Sequence, residues 1–336
     1  TAKGKRVGLV TNDQAEGLVD THTLASGGYP VGEVAGACFC CKFDDLVDTV
    51  ATLTDDEPLD ILLAEPVGSC TDLVATVLEP LRQLHGGAYK IGPLTALLKP
   101  EHGQKILRSQ EGVGFSPKAA YIFLKQLEEA DVIVVNKADK LSTQEQNELI
   151  ELLETRYPEK TIVLASLRTG FGFDALTAAI DTTTQQSQSL KIDYDTYADG
   201  EAELGWLNAE AQLKGNALSL DDLAYQIVAR LGEKLAAEGV EVVHLKVLCD
   251  GADSFAVANL VSSSVPAELS QSCRQTSAQA NVIINARVAA DPAVLSDLTS
   301  RTLEEIAALY GAHLNRGKFT HFRPGRPQPT HRMAQP

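Results

Sequence analysis

Five short runs of β-branched and aliphatic residues, at positions 7–11, 59–64, 93–98, 132–136 and 161–165, punctuate the first half of this 336-residue chain. Near-continuous apolar runs bounded by polar turn residues are the mark of strands buried on both faces. Residues 73–85, 116–130, 143–157 and 173–180 carry apolar side chains at helical spacing between or after them. Ser116-Pro117 and Ser142-Thr143 with Glu145 supply helix starts. The alternation predicts an α/β domain with a mostly parallel sheet and helices on both faces. Residues 181–190 shift to Thr, Gln and Ser without an apolar period, the composition of a linker.

A different order follows. Residues 204–214, 240–249, 255–262 and 279–288 read as strands, with helices at 220–237 and 292–310. This βαβββα pattern predicts a smaller α+β domain with helices on one face of an antiparallel sheet. Positions 315–336 hold five Arg/Lys, four Pro and no acid, so an extended basic tail is expected. The predicted division is therefore 1–181, a linker at 182–199, 200–314, and a tail at 315–336.

Charge narrows the function classes. Forty-five acidic side chains against 29 Lys+Arg give −16, which argues against a nucleic-acid platform, since phosphate contacts need a basic face. No run of about 18 apolar residues occurs, and the amino end has no charged-then-apolar leader, so the expected location is cytoplasmic, without a membrane partner.

Three of the six cysteines fall within four positions, Gly36-Ala37-Cys38-Phe39-Cys40-Cys41. With no sign of secretion, a disulfide framework is disfavoured. Clustered thiolates suit a soft or borderline ion such as Zn²⁺, Cu⁺ or Co²⁺. In an extended loop Cys41 would point away from Cys38 and Cys40, so one ion reaches all three only if the chain turns, as Gly36 allows. Three sulfurs leave a tetrahedral position for Glu33, a histidine or water.

A second motif is Asn136-Lys137-Ala138-Asp139 at the end of an apolar strand. Guanine presents two adjacent N–H donors on one edge, and the Asp139 carboxylate can accept both. The stem of Lys137 can cover the base, and Asn136 can tie the loop to its neighbours. The next strand ends in Ala165-Ser166-Leu167-Arg168-Thr169-Gly170, where a backbone N–H could reach the guanine oxygen. Loops at the carboxyl ends of successive strands are where doubly wound sheets bind nucleotides. A third segment, Asp60 to Gly68, ends a strand in Glu65-Pro66-Val67-Gly68. A carboxylate there can hold Mg²⁺ or its water, and Gly68 lets the backbone approach a terminal phosphate.

Together these residues resemble the CobW-type metallochaperone GTPases, P-loop relatives of UreG and HypB, over about residues 5–180. The G-x-C-x-C-C motif is the specific element; the others are shared with many GTPases. The resemblance implies a P-loop NTPase-type sheet, GTP and Mg²⁺ as ligands, and Zn²⁺, Co²⁺ or another thiophilic metal as cargo for a client metalloprotein. It implies that Asn136, Lys137 and Asp139 read guanine and that Ser166 supports that loop. It places Asp20 in a first switch, Glu65 and Gly68 in a second near Mg²⁺ and the γ-phosphate, and the metal on Cys38, Cys40 and Cys41. Because the cysteine loop lies between the switches, nucleotide state could gate metal affinity. No G-x-x-x-x-G-K-[ST] occurs in the chain, so the first strand and phosphate loop are expected upstream of Thr1. Two other readings stay open, a thiolate metal-binding protein with a vestigial nucleotide fold and a GTPase chaperone of a cobalamin enzyme. The sequence also leaves room for a homodimer.

Overall fold

The computed structural model describes residues 4–55, 58–108, 116–185, 188–251, 253–263 and 265–334. The chain divides into two compact units, Thr1–Val67 with Glu201–Gly325, and Gly68–Gly200 with Arg326–Pro336. The first unit opens with β1 (Val7–Asp13), α1 (Val19–Ser26), β2 (Val31–Ala35), α2 (Phe43–Asp55) and β3 (Ile61–Glu65). These strands form a parallel sheet in the order β2-β1-β3. α2 covers it through Phe43, Leu46 and Val50, spaced for one helical face.

The second unit carries a π-helical turn (Val74–Leu78), α3 (Glu79–Leu84), β4 (Thr95–Leu98), α4 (Pro100–Leu107), α5 (Pro117–Glu129), β5 (Val132–Val135), α6 (Thr143–Arg156), β6 (Thr161–Leu164), α7 (Phe173–Thr182) and α8 (Tyr194–Glu201). Its sheet is parallel, β4-β5-β6, and every residue of β5 is buried. Ser116 caps α5 by accepting from the Ala119 N–H, and Ser142 with Glu145 forms a reciprocal capping box on α6. Both starts follow the sequence signals.

The rest of the first unit is a six-stranded antiparallel sheet with two long helices. In chain order it contains β7 (Gly205–Ser219), α9 (Leu220–Ala237), β8 (Val242–Gly251), β9 (Ser254–Leu260), β10 (Glu268–Gln271), β11 (Thr276–Val288), α10 (Pro292–Leu309) and β12 (His313–Phe322). The sheet order is β10-β9-β8-β11-β7-β12. α9 buries Leu220, Leu223, Ala224, Ile227, Val228, Leu231 and Leu235 against Leu207, Leu245, Val247 and Ile284. Each large aliphatic side chain buried there contributes on the order of 1.5–3 kcal/mol.

Four expectations are corrected. The predicted single parallel sheet is two three-stranded sheets, because β3 and β4 each pair on one side only. The βαβββα pattern gains β10, which is four residues long with Leu269 as its one apolar residue, and β12. β12 lies in the segment expected as a tail, where it pairs with β7 as an edge strand. Its Arg316, Gly317 and Lys318 read as a disordered composition, but basic residues and a register break are how an edge strand discourages further pairing. Residues 194–201, which begin inside the linker expected at 182–199 and run past its end, form α8. No helix among the described residues is long and apolar enough to cross a membrane.

Candidate functional site

The cysteine loop follows β2 and runs into α2. Gly36 has φ +92°, a conformation costly for residues with a Cβ, and its N–H donates to the Asp13 carbonyl. The chain then turns, the Cys41 and Lys42 N–H groups donating to the Cys38 carbonyl at 2.9 and 3.1 Å. The turn brings Cys41 round to its neighbours, with Sγ separations of 3.0 Å for Cys38–Cys40, 3.5 Å for Cys38–Cys41 and 3.6 Å for Cys40–Cys41. Zinc–sulfur bonds of about 2.3 Å place tetrahedral sulfurs roughly 3.8 Å apart, so the three thiols fit one ion with little movement. Cys38 and Cys40 are buried and Cys41 is half-buried, which leaves one approach. The amino end of α2 adds a positive dipole that favours thiolates.

Asn12 fixes this loop, a role the sequence left unread. Its Nδ2 donates to the Val34 carbonyl at 2.7 Å and the Ala37 carbonyl at 2.8 Å. Its Oδ1 accepts from the Phe39 N–H at 2.9 Å and the Val67 N–H at 3.4 Å. One buried amide thus ties β2, the cysteine turn and the chain after β3.

Across the sheet Glu33, Thr11 and Glu65 stand in one register row on β2, β1 and β3. Glu33 does not join the sulfurs: among the described residues the group that could hold a metal ion is Cys38, Cys40 and Cys41. Its carboxylate instead accepts from the Thr21 hydroxyl and the Gly17 and Leu18 N–H groups, and desolvation, with the Asp13 charge, holds its pKa above the usual carboxylate range. Desolvation, with Asp20 nearby, also raises Glu65, partly offset by Lys246. Asp20 and Glu65 are thus brought into one electrostatic neighbourhood, and Lys246 Nζ lies 2.5 Å from Asp20 Oδ1.

The second unit builds the other loop pair. Asn136 Oδ1 accepts from the Lys137 N–H at 2.8 Å and the Leu167 N–H at 3.2 Å, tying the two loops together. Lys137 sits at φ +60°, turning the chain so that the Ala138 N–H donates to the Ala165 carbonyl. The Ser166 hydroxyl bonds the Asp139 carboxylate, the largest cause of its lowered pKa. Asp139 remains exposed at the surface as an acceptor, whereas Ser166 is buried. The hairpin-like return after Ser166 needs Gly172 at φ +72°, where a Cβ would lie 2.0 Å from the Leu164 carbonyl oxygen. Gly68, in the same unit, has open space around its Cα, and its carbonyl accepts from Gln126 Nε2 at 2.9 Å.

Comparison with known proteins adds to this geometry. Residues 1–164 match the family model of the CobW/HypB/UreG nucleotide-binding domain. Five solved chains match, among them these two. One is the Zn(II)-bound YjiA GTPase from E. coli, at 13% identity and a TM-score of 0.30, covering 83% of this chain and 93% of that one. The other is a Zn(II)-bound triple mutant of YjiA GTPase, at 12% identity and a TM-score of 0.35, covering 90% of each chain. No curated protein sequence matches.

Proposed function

We propose that this chain, whose residues 1–164 match the model of the CobW/HypB/UreG nucleotide-binding domain, belongs to a GTP-hydrolysing metallochaperone that carries a thiophilic transition metal to a client protein. The observation that carries the reading is the convergence of Cys38, Cys40 and Cys41, with Sγ atoms 3.0 to 3.6 Å apart, on a turn held within a nucleotide-binding fold. Three thiolates and an open position bind an ion yet allow a client ligand to displace them.

In this reading Asp139 accepts the two N–H donors of guanine, Lys137 covers the base, and Asn136 and Ser166 hold the loops to which they are already bonded. Asp20 and Glu65, whose charges act on one another, would hold Mg²⁺ or its water, the ion competing with Lys246 for Asp20. Bound Mg²⁺ would supply charge neutralisation at the phosphates. Gly68 would give the γ-phosphate a close backbone approach. Hydrolysis breaks the bond to the γ-phosphoryl group, water supplying the new oxygen and GDP leaving. The γ-phosphate orders segments on either side of the cysteine loop in sequence, and its loss releases them with the ion.

The test is metal-stimulated GTP hydrolysis by the full-length gene product, with Zn²⁺ and Co²⁺ each compared between wild type and a triple Cys38/Cys40/Cys41→Ser variant. Stimulation present in the first and lost in the second supports the reading. Turnover indifferent to metal in both contradicts it.

A further inference from the structure

The antiparallel sheet has two unlike faces. Leu207, Ala209, Leu245, Val247, Ile284 and Ala286 point into the apolar core under α9 and α10. The alternate positions Asn208, Lys246, Asn285 and Arg287 face the other way. Register sets Asn285 beside both Asn208 and Lys246, and Arg287 beside Trp206, so they form a polar patch over three neighbouring strands. Asn208 and Asn285 are 5% and 1% exposed, unlike the solvated outer face that such a sheet usually presents.

What buries this patch is the segment that begins at Asp13. Arg287 Nη2 donates to both Asp13 carboxylate oxygens, at 2.7 and 2.8 Å, with its guanidinium 4.0 Å from the Trp206 ring centre. Asn208 Nδ2 donates to Asp13 Oδ2 at 2.7 Å and to the Glu16 carbonyl at 3.2 Å, while Arg287 Nη1 donates to Asn208 Oδ1. Asn285 accepts from the Val19 N–H at 2.8 Å and donates to the Gly17 carbonyl at 3.0 Å. Lys246 takes Asp20, and Val19 is buried against Leu248 and Val257. Desolvating a charged pair and two amides is costly, and a hydrophobic patch would hold the segment at least as tightly. What the polar set adds is a fixed position for the backbone from Asp13 to Asp20.

The residue before Asp13 is Asn12, whose four hydrogen bonds hold the cysteine turn. We propose that Arg287, Asn285 and Asn208 are positioning residues for the thiolate site: by fixing residues 13–19 on the antiparallel sheet they fix Asn12, and through it the spacing of the three sulfurs. The remote sheet thus sets metal affinity without supplying a ligand. Any motion that lifts Asp13–Asp20 from the sheet would loosen the ion. This inference rests on the cysteine loop binding metal.

The experiment titrates the full chain with Co²⁺ and reads the thiolate charge-transfer and d–d bands, then measures Zn²⁺ affinity against a chromophoric chelator. Far-UV circular dichroism at the same concentration confirms folding. Arg287→Met is expected to weaken metal binding about 10- to 100-fold, the usual loss when a group that orients a ligand is removed, and to change the tetrahedral d–d band. Arg287→Met with Asp13→Leu removes the ion pair without stranding a charge and is expected to show the same loss. Asn285→Ala, which leaves the ion pair in place, should weaken binding about threefold to tenfold and serves as the test if Arg287→Met fails to fold. Unchanged affinity and spectrum in the folded variants, with wild type binding through its cysteines, would overturn the latch and leave the metal reading intact. A wild type that binds neither ion through its cysteines would overturn both.

Discussion

The Asn136 and Ser166 loops of the second unit and the cysteine loop of the first are stabilised differently. Asn136, Asp139, Leu167 and Ser166 hold one another, and all lie within 32 residues of sequence. The cysteine turn closes on its own backbone, but its spacing depends on Asn12 and, through Asp13, on residues 195 to 274 positions away. A locally closed site is set once its two strands are paired. A remotely held site can be altered by whatever moves the segment that links it to its support, which would suit the proposed release of a metal.

The largest effect expected on this contrast is at the thiols. Replacing Cys38, Cys40 and Cys41 together by serine should lower Zn²⁺ affinity by on the order of 10³-fold or more, read by chelator competition, because the ion loses its soft ligands. Circular dichroism should be unchanged, since serine differs from cysteine by one atom and keeps the turn's backbone hydrogen bonds to the Cys38 carbonyl. Asp139→Asn should cost guanine preference about 10- to 100-fold, measured as the ratio of fluorescent GDP to ADP affinity in the full-length gene product, since an amide cannot accept two donors on the same edge with full charge. Metal affinity in the absence of nucleotide should not move, and a parallel loss would break the distinction between the two sites.

A third prediction uses pH to separate the units. Glu129, at the end of α5, accepts the Leu73 and Val74 N–H groups while buried, and desolvation pushes its pKa up to about 7 from 4.5. The folded chain therefore keeps this proton where the unfolded chain has lost it. Its stabilising contribution is complete below pH 4.5 and is lost as pH rises through 7, a change of about 2–3 kcal/mol. Urea unfolding followed by fluorescence at pH 5.5 and 8 should show the loss in wild type and a smaller one in Glu129→Gln. The smallest effect is at the α6 cap, where Ser142→Ala should cost about 1 kcal/mol in the same assay. Guanine preference should hold, because Asn136 and Ser166 fix the loop without it.

The same difference explains what could be read in the chain. The predicted Asn136 tie between loops is present, and it was legible because the strand and the turn that carry it are adjacent in sequence. The cysteine turn was legible from Gly36 and residue spacing, but the Glu33 ligand was not borne out: its partners are Thr21 and a turn that no local pattern announces. α1 was missed because Val19–Ser26 has no apolar period; only Val19 is buried, and what buries it lies far along the chain. Nothing near Trp206 in sequence announces that Arg287, 81 positions on, lies over its ring. The one advance sign of the latch is a polar residue at alternate positions of two apolar strands, Asn208 in β7 and Asn285 and Arg287 in β11.

The most direct test of the whole account is the Zn²⁺ affinity of the full-length gene product, measured by chelator competition with GDP bound and with a non-hydrolysable GTP analogue bound. The account predicts that the two affinities differ by about tenfold or more, that the difference disappears in the triple serine variant, and that it shrinks in Arg287→Met. Equal affinities in both nucleotide states would mean that the nucleotide makes no differential contact with the metal-binding conformation, and would contradict the account.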